Sequence, residues 1–173
     1  MTMIELSFLR HAKSDYENYN GDDFSRKISD RGIEKTHVLG VFLQDRKITF
    51  DQILCSPSRR TLKTLDLILG YCDKMPFVEI LPEIYDGDKK FLIDYIKKDN
   101  KSSKSKLIIG HEPTLSSLVD YYASDSDNDL YKESQIKFST SSLFQFKFLV
   151  REWSEVDFGK GIIEFYYKPQ LKN

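Results

Sequence analysis

Arginine and histidine recur at three places where an apolar run gives way to a turn. These are Leu9-Arg10-His11-Ala12-Lys13-Ser14, Ser56-Pro57-Ser58-Arg59-Arg60 and Gly110-His111-Glu112-Pro113. Guanidinium forks match phosphate oxygens in pairs, where lysine offers only a point charge. A neutral imidazole can attack phosphorus and carry the phosphoryl group, splitting one transfer into two easier steps. That chemistry needs an orienting hydrogen bond on one ring nitrogen, positive neighbours for the phosphoryl oxygens and an acid for the leaving group. Arg10-His11 on a tight turn offers the first two, and His111 is expected across the pocket as a donor to a phosphoryl oxygen. Arg60 falls near the start of an expected helix, where a cation is unfavourable unless an anion accompanies it.

These residues lie far apart in sequence, so the elements between them must bring them together. Residues 3–9 alternate and then turn wholly apolar, which predicts a partly or fully buried strand. Ser29 reads as an N-cap for a helix carrying Ile33, Val38, Leu39, Phe42 and Leu43. A second strand over residues 50–55 leads through the Ser-Pro turn, with Ser56 or Ser58 as cap, into a helix. That helix carries Leu62, Leu65, Ile68 and Leu69 and stops near Gly70. Residues 77–81 predict a short strand, Phe91, Leu92, Tyr95 and Ile96 a helix, and residues 107–109 a buried strand. Pro113 suits the first turn of a helix with Leu115, Leu118, Val119 and Tyr122. Strands over 142–150 and 162–167 close the chain. The stretches 15–26, 82–90, 97–106 and 123–135 read as solvated loops, and the first, second and fourth are expected to set substrate choice.

Strand and helix alternate throughout without an internal repeat or linker. The expected architecture is therefore an α/β, three-layer α/β/α sandwich formed by one domain over residues 1–173. Its central sheet is expected to be mostly parallel with an antiparallel C-terminal edge. In such sheets ligands bind beyond the carboxyl ends of the strands, where helix N-termini also favour anions.

Composition narrows the function classes. Lys and Arg number 26 against 27 Asp and Glu, so no global basic field draws the chain to nucleic acid or anionic lipid. Twelve Phe and ten Tyr supply a sizeable core. No run approaches the length of a spanning helix, no secretory signal is visible, and Cys55 and Cys72 show no metal-ligand spacing. A cytoplasmic location follows as an expectation, with neither nucleic acid nor membrane as partner. Cys55 reads as a buried small hydrophobe, His37 as a surface or packing residue and Arg59 as exposed.

The same motifs carry a resemblance. Leu9-Arg10-His11-Ala12-Lys13-Ser14 resembles the Arg-His signature of the histidine phosphatase, or phosphoglycerate-mutase-like, superfamily. It is more narrowly similar to that of the small SixA-like phosphohistidine phosphatases. Arg26-Lys27-Ile28-Ser29-Asp30-Arg31-Gly32 resembles the family's Arg-Pro-Leu-Ser/Thr-x-x-Gly segment, with Lys27 where proline is usual. Ser56 to Thr64 resembles Ser-Pro-x-x-Arg-Ala-x-Gln-Thr, and Gly110-His111-Glu112-Pro113 resembles Gly-His-Asn-Pro. The tail from Trp153 through Gly161 to Leu171 looks like the closing strands of the small branch, so the likeness covers nearly the whole chain.

The resemblance implies a phosphatase that needs no metal or other cofactor. His11 would be the nucleophile, and Arg10, Arg60 and His111 would bind the phosphoryl group. Ser14 is a further candidate donor to it. Leu81-Pro82-Glu83 with Gly87 fits the spacing of the acid in larger relatives, which makes Glu83 the candidate proton donor, with Asp86 and Asp88 as alternatives. The implied substrate is a phosphorylated small molecule or a phosphohistidine-bearing protein. Two other readings compete. A phosphate-binding scaffold would keep the pocket without turnover, and a phosphomutase would need a closing lid for which 173 residues leave little material.

Overall fold

The computed structural model describes residues 2–98 and 103–172. Strand β1 (Thr2–Arg10) is followed by helix α1 (Asp30–Asp45), β2 (Gln52–Cys55), α2 (Arg59–Leu69) and β3 (Phe77–Ile80). Helices α3 (Pro82–Asp86) and α4 (Lys89–Ile96) lead to β4 (Ser105–Gly110), α5 (Thr114–Tyr122) and α6 (Asp129–Ile136). Strands β5 (Leu143–Val150) and β6 (Ile162–Tyr167) flank a 3-10 turn at Trp153–Glu155. The sheet order is β3-β2-β4-β1-β5-β6. Strands β1 to β4 run parallel, and β5 pairs antiparallel with both β1 and β6. The expected fold class, a mostly parallel sheet with helices and an antiparallel C-terminal edge, is the one observed.

Burial explains the strand sequences. Every residue of β2 and β4 is buried, as befits parallel strands covered on both faces. Successive side chains point to opposite faces. Ile4, Leu6, Phe8, Leu54 and Ile108 therefore join Leu92, Leu115, Leu118 and Tyr122 in one core, beneath α4 and α5. Leu9, Ile53, Cys55, Leu107 and Ile109 join Leu39, Leu43, Leu65 and Ile68 in the other, beneath α1 and α2. Ser29 caps α1 as expected, its hydroxyl accepting from the Gly32 amide at 3.1 Å. A Cβ at Gly32 would lie 2.5 Å from the Lys13 carbonyl oxygen, so only glycine lets α1 approach the turn that follows His11 so closely.

Several details differ from the sequence reading. Residues 82–86 and 129–136 are helical rather than looped. Helix α3 is little more than one turn, with Pro82 at its start and Gly87 at φ 75° closing it. Helix α6 is capped by Asn128, fully buries only Ser134 and packs Leu130 and Tyr131 partly against the core, an apolar side too short to betray it. On α2 the face turned inward carries Arg60, Thr61 and Thr64 with Leu65 and Ile68, whereas Leu62 is exposed. The supposed loop over 97–106 ends in β4. There Lys106 is buried, donates to the carbonyls of Ile96 at 2.9 Å and Lys98 at 2.7 Å, and lies 4.1 Å from the Trp153 ring centre. Residues 99–102 of that stretch lie outside the described residues. Among the described residues no helix is long and apolar enough to cross a membrane.

Candidate active site

The parallel register carries the three motifs to one edge of the sheet. Arg10 pairs with Gly110 and Cys55 with Ile109, so the residues following β1, β2 and β4 emerge side by side. The His11 amide donates to the Gly110 carbonyl at 3.1 Å and the Ser56 amide to the Ile109 carbonyl at 3.1 Å. The His11 and His111 ring centres consequently stand 5.2 Å apart. Helix α2 braces this edge: the Ala12 amide donates to Thr64 Oγ1 at 2.9 Å, and that hydroxyl donates to the Arg60 carbonyl at 2.7 Å. Ser141, at φ 57°, donates its amide to the Arg10 carbonyl at 3.0 Å. A left-handed serine is uncommon, and here it is held by a 3.0 Å contact between its hydroxyl and Thr36 Oγ1.

Hydrogen bonding fixes the tautomer of each imidazole. His11 Nδ1 lies 2.7 Å from the Ala12 carbonyl oxygen. A carbonyl only accepts, so Nδ1 carries the proton and Nε2 keeps its lone pair. Among the described residues nothing hydrogen-bonds to that Nε2. At His111 the Arg60 guanidinium donates to Nδ1 at 3.2 Å, so Nε2 carries the proton and donates to Ser56 Oγ at 2.7 Å. Burial pushes the His11 imidazole down to about 3, against the pull of the Ala12 carbonyl and helped by His111, Arg60 and Arg10. Burial and then Arg60 push His111 down to about 4. Both rings are neutral at neutral pH.

This has a consequence for stability. In the unfolded chain each histidine titrates near its ordinary value of about 6.5, well above the folded values. The unfolded state therefore takes up protons first. Stability is complete above that value and falls as pH drops through it toward the folded values, by about 1.4 kcal/mol per pH unit for each histidine. Urea unfolding at pH 7 and pH 5 is expected to differ by roughly 3–4 kcal/mol. Equal stability at the two values would mean that neither ring is held neutral by the fold.

The arginines are tied back by other loops. Arg10 donates from one terminal nitrogen to the Phe138 carbonyl at 2.7 Å. Arg60 donates to the Asp23 carbonyl at 2.7 Å and to Asp23 Oδ2 at 2.9 Å. Asp23 Oδ1 accepts from Arg26 at 2.8 Å, and Oδ2 also accepts from the Tyr85 hydroxyl at 3.2 Å. Partial burial works against the Asp23 carboxylate, but hydrogen bonds from Arg26 and Arg60 hold it down at about 2. The Tyr85 ring meets His111 edge-to-face at 5.5 Å. The Nε atoms of Arg10, Arg26 and Arg60 are buried and without hydrogen-bond partners, as is Ser14 Oγ.

Of the residues singled out from sequence, His11, Arg10, Arg60 and His111 gather at this edge. Ser14 is buried three residues beyond His11, in a bridge with Ile28. Glu83 sits on α3 with Oε2 buried and unpartnered, and it makes no hydrogen bond or ion pair with either histidine or with Arg10 or Arg60. Asp88 caps α4, accepting from the Phe91 amide at 2.9 Å. Ser58 caps α2, which frees Ser56 to hold His111. Sequence reasoning did not single out Asp23 or Tyr85, and treated Ser56 only as a possible cap. Cys55 is buried, and burial pushes its thiol up to about 12. Among the described residues no group of three or more His, Cys, Asp or Glu could hold a metal ion.

Residues 6–88 match the histidine phosphatase superfamily, branch 1. That stretch holds Arg10, His11, Arg60 and Glu83 and ends before His111. A protein of Mycobacterium tuberculosis described as uncharacterised is 27% identical over 169 residues, covering 94% of this chain and all of its own length. In fold, a chain of Nakamurella multipartitia assigned as the phosphohistidine phosphatase SixA superposes with a TM-score of 0.83. It is 18% identical, and 98% of each chain is covered. A protein histidine phosphatase SixA complexed with tungstate gives 0.76 at 20% identity, over 96% of this chain and 97% of that one. The chain thus matches the histidine phosphatase superfamily in sequence over its first half. In fold it is similar to these SixA structures over nearly its whole length, and a phosphoglycerate mutase of Plasmodium falciparum shares the architecture.

Proposed function

We propose that this protein hydrolyses a phosphoryl group from histidine on a substrate protein through a phosphohistidine formed at His11. One observation carries the reading. A neutral imidazole with Nδ1 held by the Ala12 carbonyl presents a free Nε2 beside His111 and Arg60. The Nε2 lone pair attacks phosphorus, so that a bond from Nε2 to phosphorus forms as the substrate's bond from phosphorus to nitrogen breaks. The leaving imidazole takes the bonding pair and a proton from solvent. Water then attacks phosphorus, the bond to Nε2 breaks with its electron pair returning to His11, and phosphate departs. Arg10 and Arg60 hold the phosphoryl oxygens, and His111 completes the pocket. The unpartnered Nε groups of the arginines and Ser14 Oγ supply donors for an oxyanion.

The choice of phosphohistidine over a phosphomonoester rests on the leaving group. Among the described residues no carboxyl group hydrogen-bonds to His11 or His111. General acid assistance is worth about 10²–10⁴ in rate, and an alkoxide needs it far more than the ring of a phosphohistidine, whose far nitrogen can take a proton from solvent near the ordinary imidazole value of about 6.5 and so lets the ring leave neutral. The fold shared with SixA proteins supports the same choice. Turnover of p-nitrophenyl phosphate in EDTA tests the enzyme, because that phenol needs little protonation. A phosphohistidine protein set against a phosphoserine peptide tests the substrate. The expected preference in kcat/KM is about a hundredfold for phosphohistidine. Turnover of serine phosphate alone would overturn the substrate, and no turnover of any of the three would leave a phosphate-binding module.

A further inference from the structure

Asp23 stands in the segment between β1 and α1, and one carboxylate there serves two guanidiniums. Oδ1 accepts from Arg26 at 2.8 Å and Oδ2 from Arg60 at 2.9 Å, while the Asp23 backbone carbonyl takes a second Arg60 nitrogen at 2.7 Å. The Arg60 side chain is only 6% exposed, against 44% for that of Asp23, so a partly open carboxylate reaches in to a buried cation. With the bond to His111, three donors of the two Arg60 terminal nitrogens are engaged. The Nε atoms of Arg60 and Arg26 are buried and without partners.

We infer that Asp23 is a positioning residue for the phosphoryl pocket, clamping Arg60 and Arg26 by their outer ends so that their unpartnered Nε groups serve the substrate's oxygens. The identity of that ligand rests on the phosphatase reading above. A carboxylate on a phosphate-binding arginine could instead be a competitor that the substrate must displace. The contacts speak for the clamp. Asp23 engages Arg60 through its backbone as well as its side chain, and the next residue, Phe24, accepts from the Arg59 amide at 3.0 Å and packs edge-to-face on Tyr85 at 5.1 Å. Displacing the Asp23 carboxylate would break its bonds to Arg26, Arg60 and Tyr85, whereas the unpartnered Nε groups have no hydrogen bond to lose. One shared anion also lets the two guanidiniums lie close together without their mutual repulsion driving them apart.

The two roles predict opposite signs. Removing a competitor, and a negative charge, would tighten anion binding, whereas removing a clamp loosens it. The probe is inorganic phosphate, titrated calorimetrically into the wild type, Asp23→Ala, Asp23→Asn, Arg60→Ala and the Asp23→Ala/Arg60→Ala double variant. The dissociation constant is expected to rise about tenfold in Asp23→Ala, a tenfold change being about 1.4 kcal/mol, and by less in Asp23→Asn, which keeps an acceptor oxygen. In the Arg60→Ala background Asp23→Ala should add less than it does in the wild type, because only the Arg26 half of the clamp is left to lose.

Unchanged or tighter binding in Asp23→Ala would overturn the clamp, as would an undiminished loss in the Arg60→Ala background. Thermal melting reports whether each variant folds, and Asp23→Asn carries the test if Asp23→Ala does not. Turnover is measured separately. A wild type that binds phosphate but hydrolyses nothing sinks the phosphatase reading while binding still decides the clamp. A wild type that turns over substrate, with phosphate binding indifferent to Asp23, sinks the clamp alone. A wild type that does neither sinks both.

Discussion

His11→Ala is expected to lower kcat/KM for p-nitrophenyl phosphate by at least about a thousandfold, some 4 kcal/mol of transition-state stabilisation. The size follows from the step removed. Arg10 and Arg60 would still gather the phosphoryl oxygens, but no atom would be placed to form the covalent bond, and water would have to attack directly. Among the described residues, no other side chain offers a comparable nucleophile at this edge. The Cys55 thiol is buried and held protonated, and His111 Nδ1 already accepts from Arg60. The variant should still fold, because truncating a neutral, buried ring leaves no unpaired charge. Rapid acid-free quenching of wild type during turnover should trap a phosphoenzyme that is stable to base and labile to acid, as a phosphoramidate is. The variant should yield none. Activity within about tenfold of wild type, or a phosphoenzyme in the variant, would move the nucleophile away from His11.

What the sequence disclosed and what it hid divide along the range of the interactions. Leu9-Arg10-His11 could be read because a buried parallel strand has an apolar signature and the residues that end it are exceptions to that signature. The Ser29 cap and the start of α5 at Pro113 are equally local. Helix α3 escaped notice because it is barely one turn, and α6 because its inward side offers only Leu130 and Tyr131, partly buried, beside Ser134. Lys106 looked like part of a solvated run, yet its partners are carbonyls of the preceding segment and a tryptophan 47 positions away, a pairing no local pattern encodes. Asp23 was hidden for the same reason. Nothing near it in sequence announces an ion pair to Arg60 on another element, 37 positions on. The Ser-Pro turn offered two serines with equal claims to the cap. Only the approach of β4 alongside β2 separates their roles, by bringing His111 to Ser56.

Arg60 carries the second large effect, because its one guanidinium joins Asp23 to His111. Arg60→Ala is expected to reduce kcat/KM by about 10²–10³, the usual loss when one preorganised donor to a developing oxyanion is removed. Arg60→Lys should fall nearer to Ala than to wild type. Lysine restores the charge but cannot span Asp23 and His111 and still present a further N–H, as a planar fork with five donors can. The substitution also tests how the two histidines are kept neutral. After burial, Arg60 is the largest cause holding His111 down. Its removal should therefore raise the pH at which His111 takes a proton, while His11, for which burial counts most and Arg60 less than His111, should move less. Imidazole resonances followed through an acid titration of wild type and Arg60→Ala separate the two shifts. A His111 that titrates unchanged in Arg60→Ala would mean that burial alone keeps it neutral. Arg60 would then act on the phosphoryl group directly and not through its neighbour.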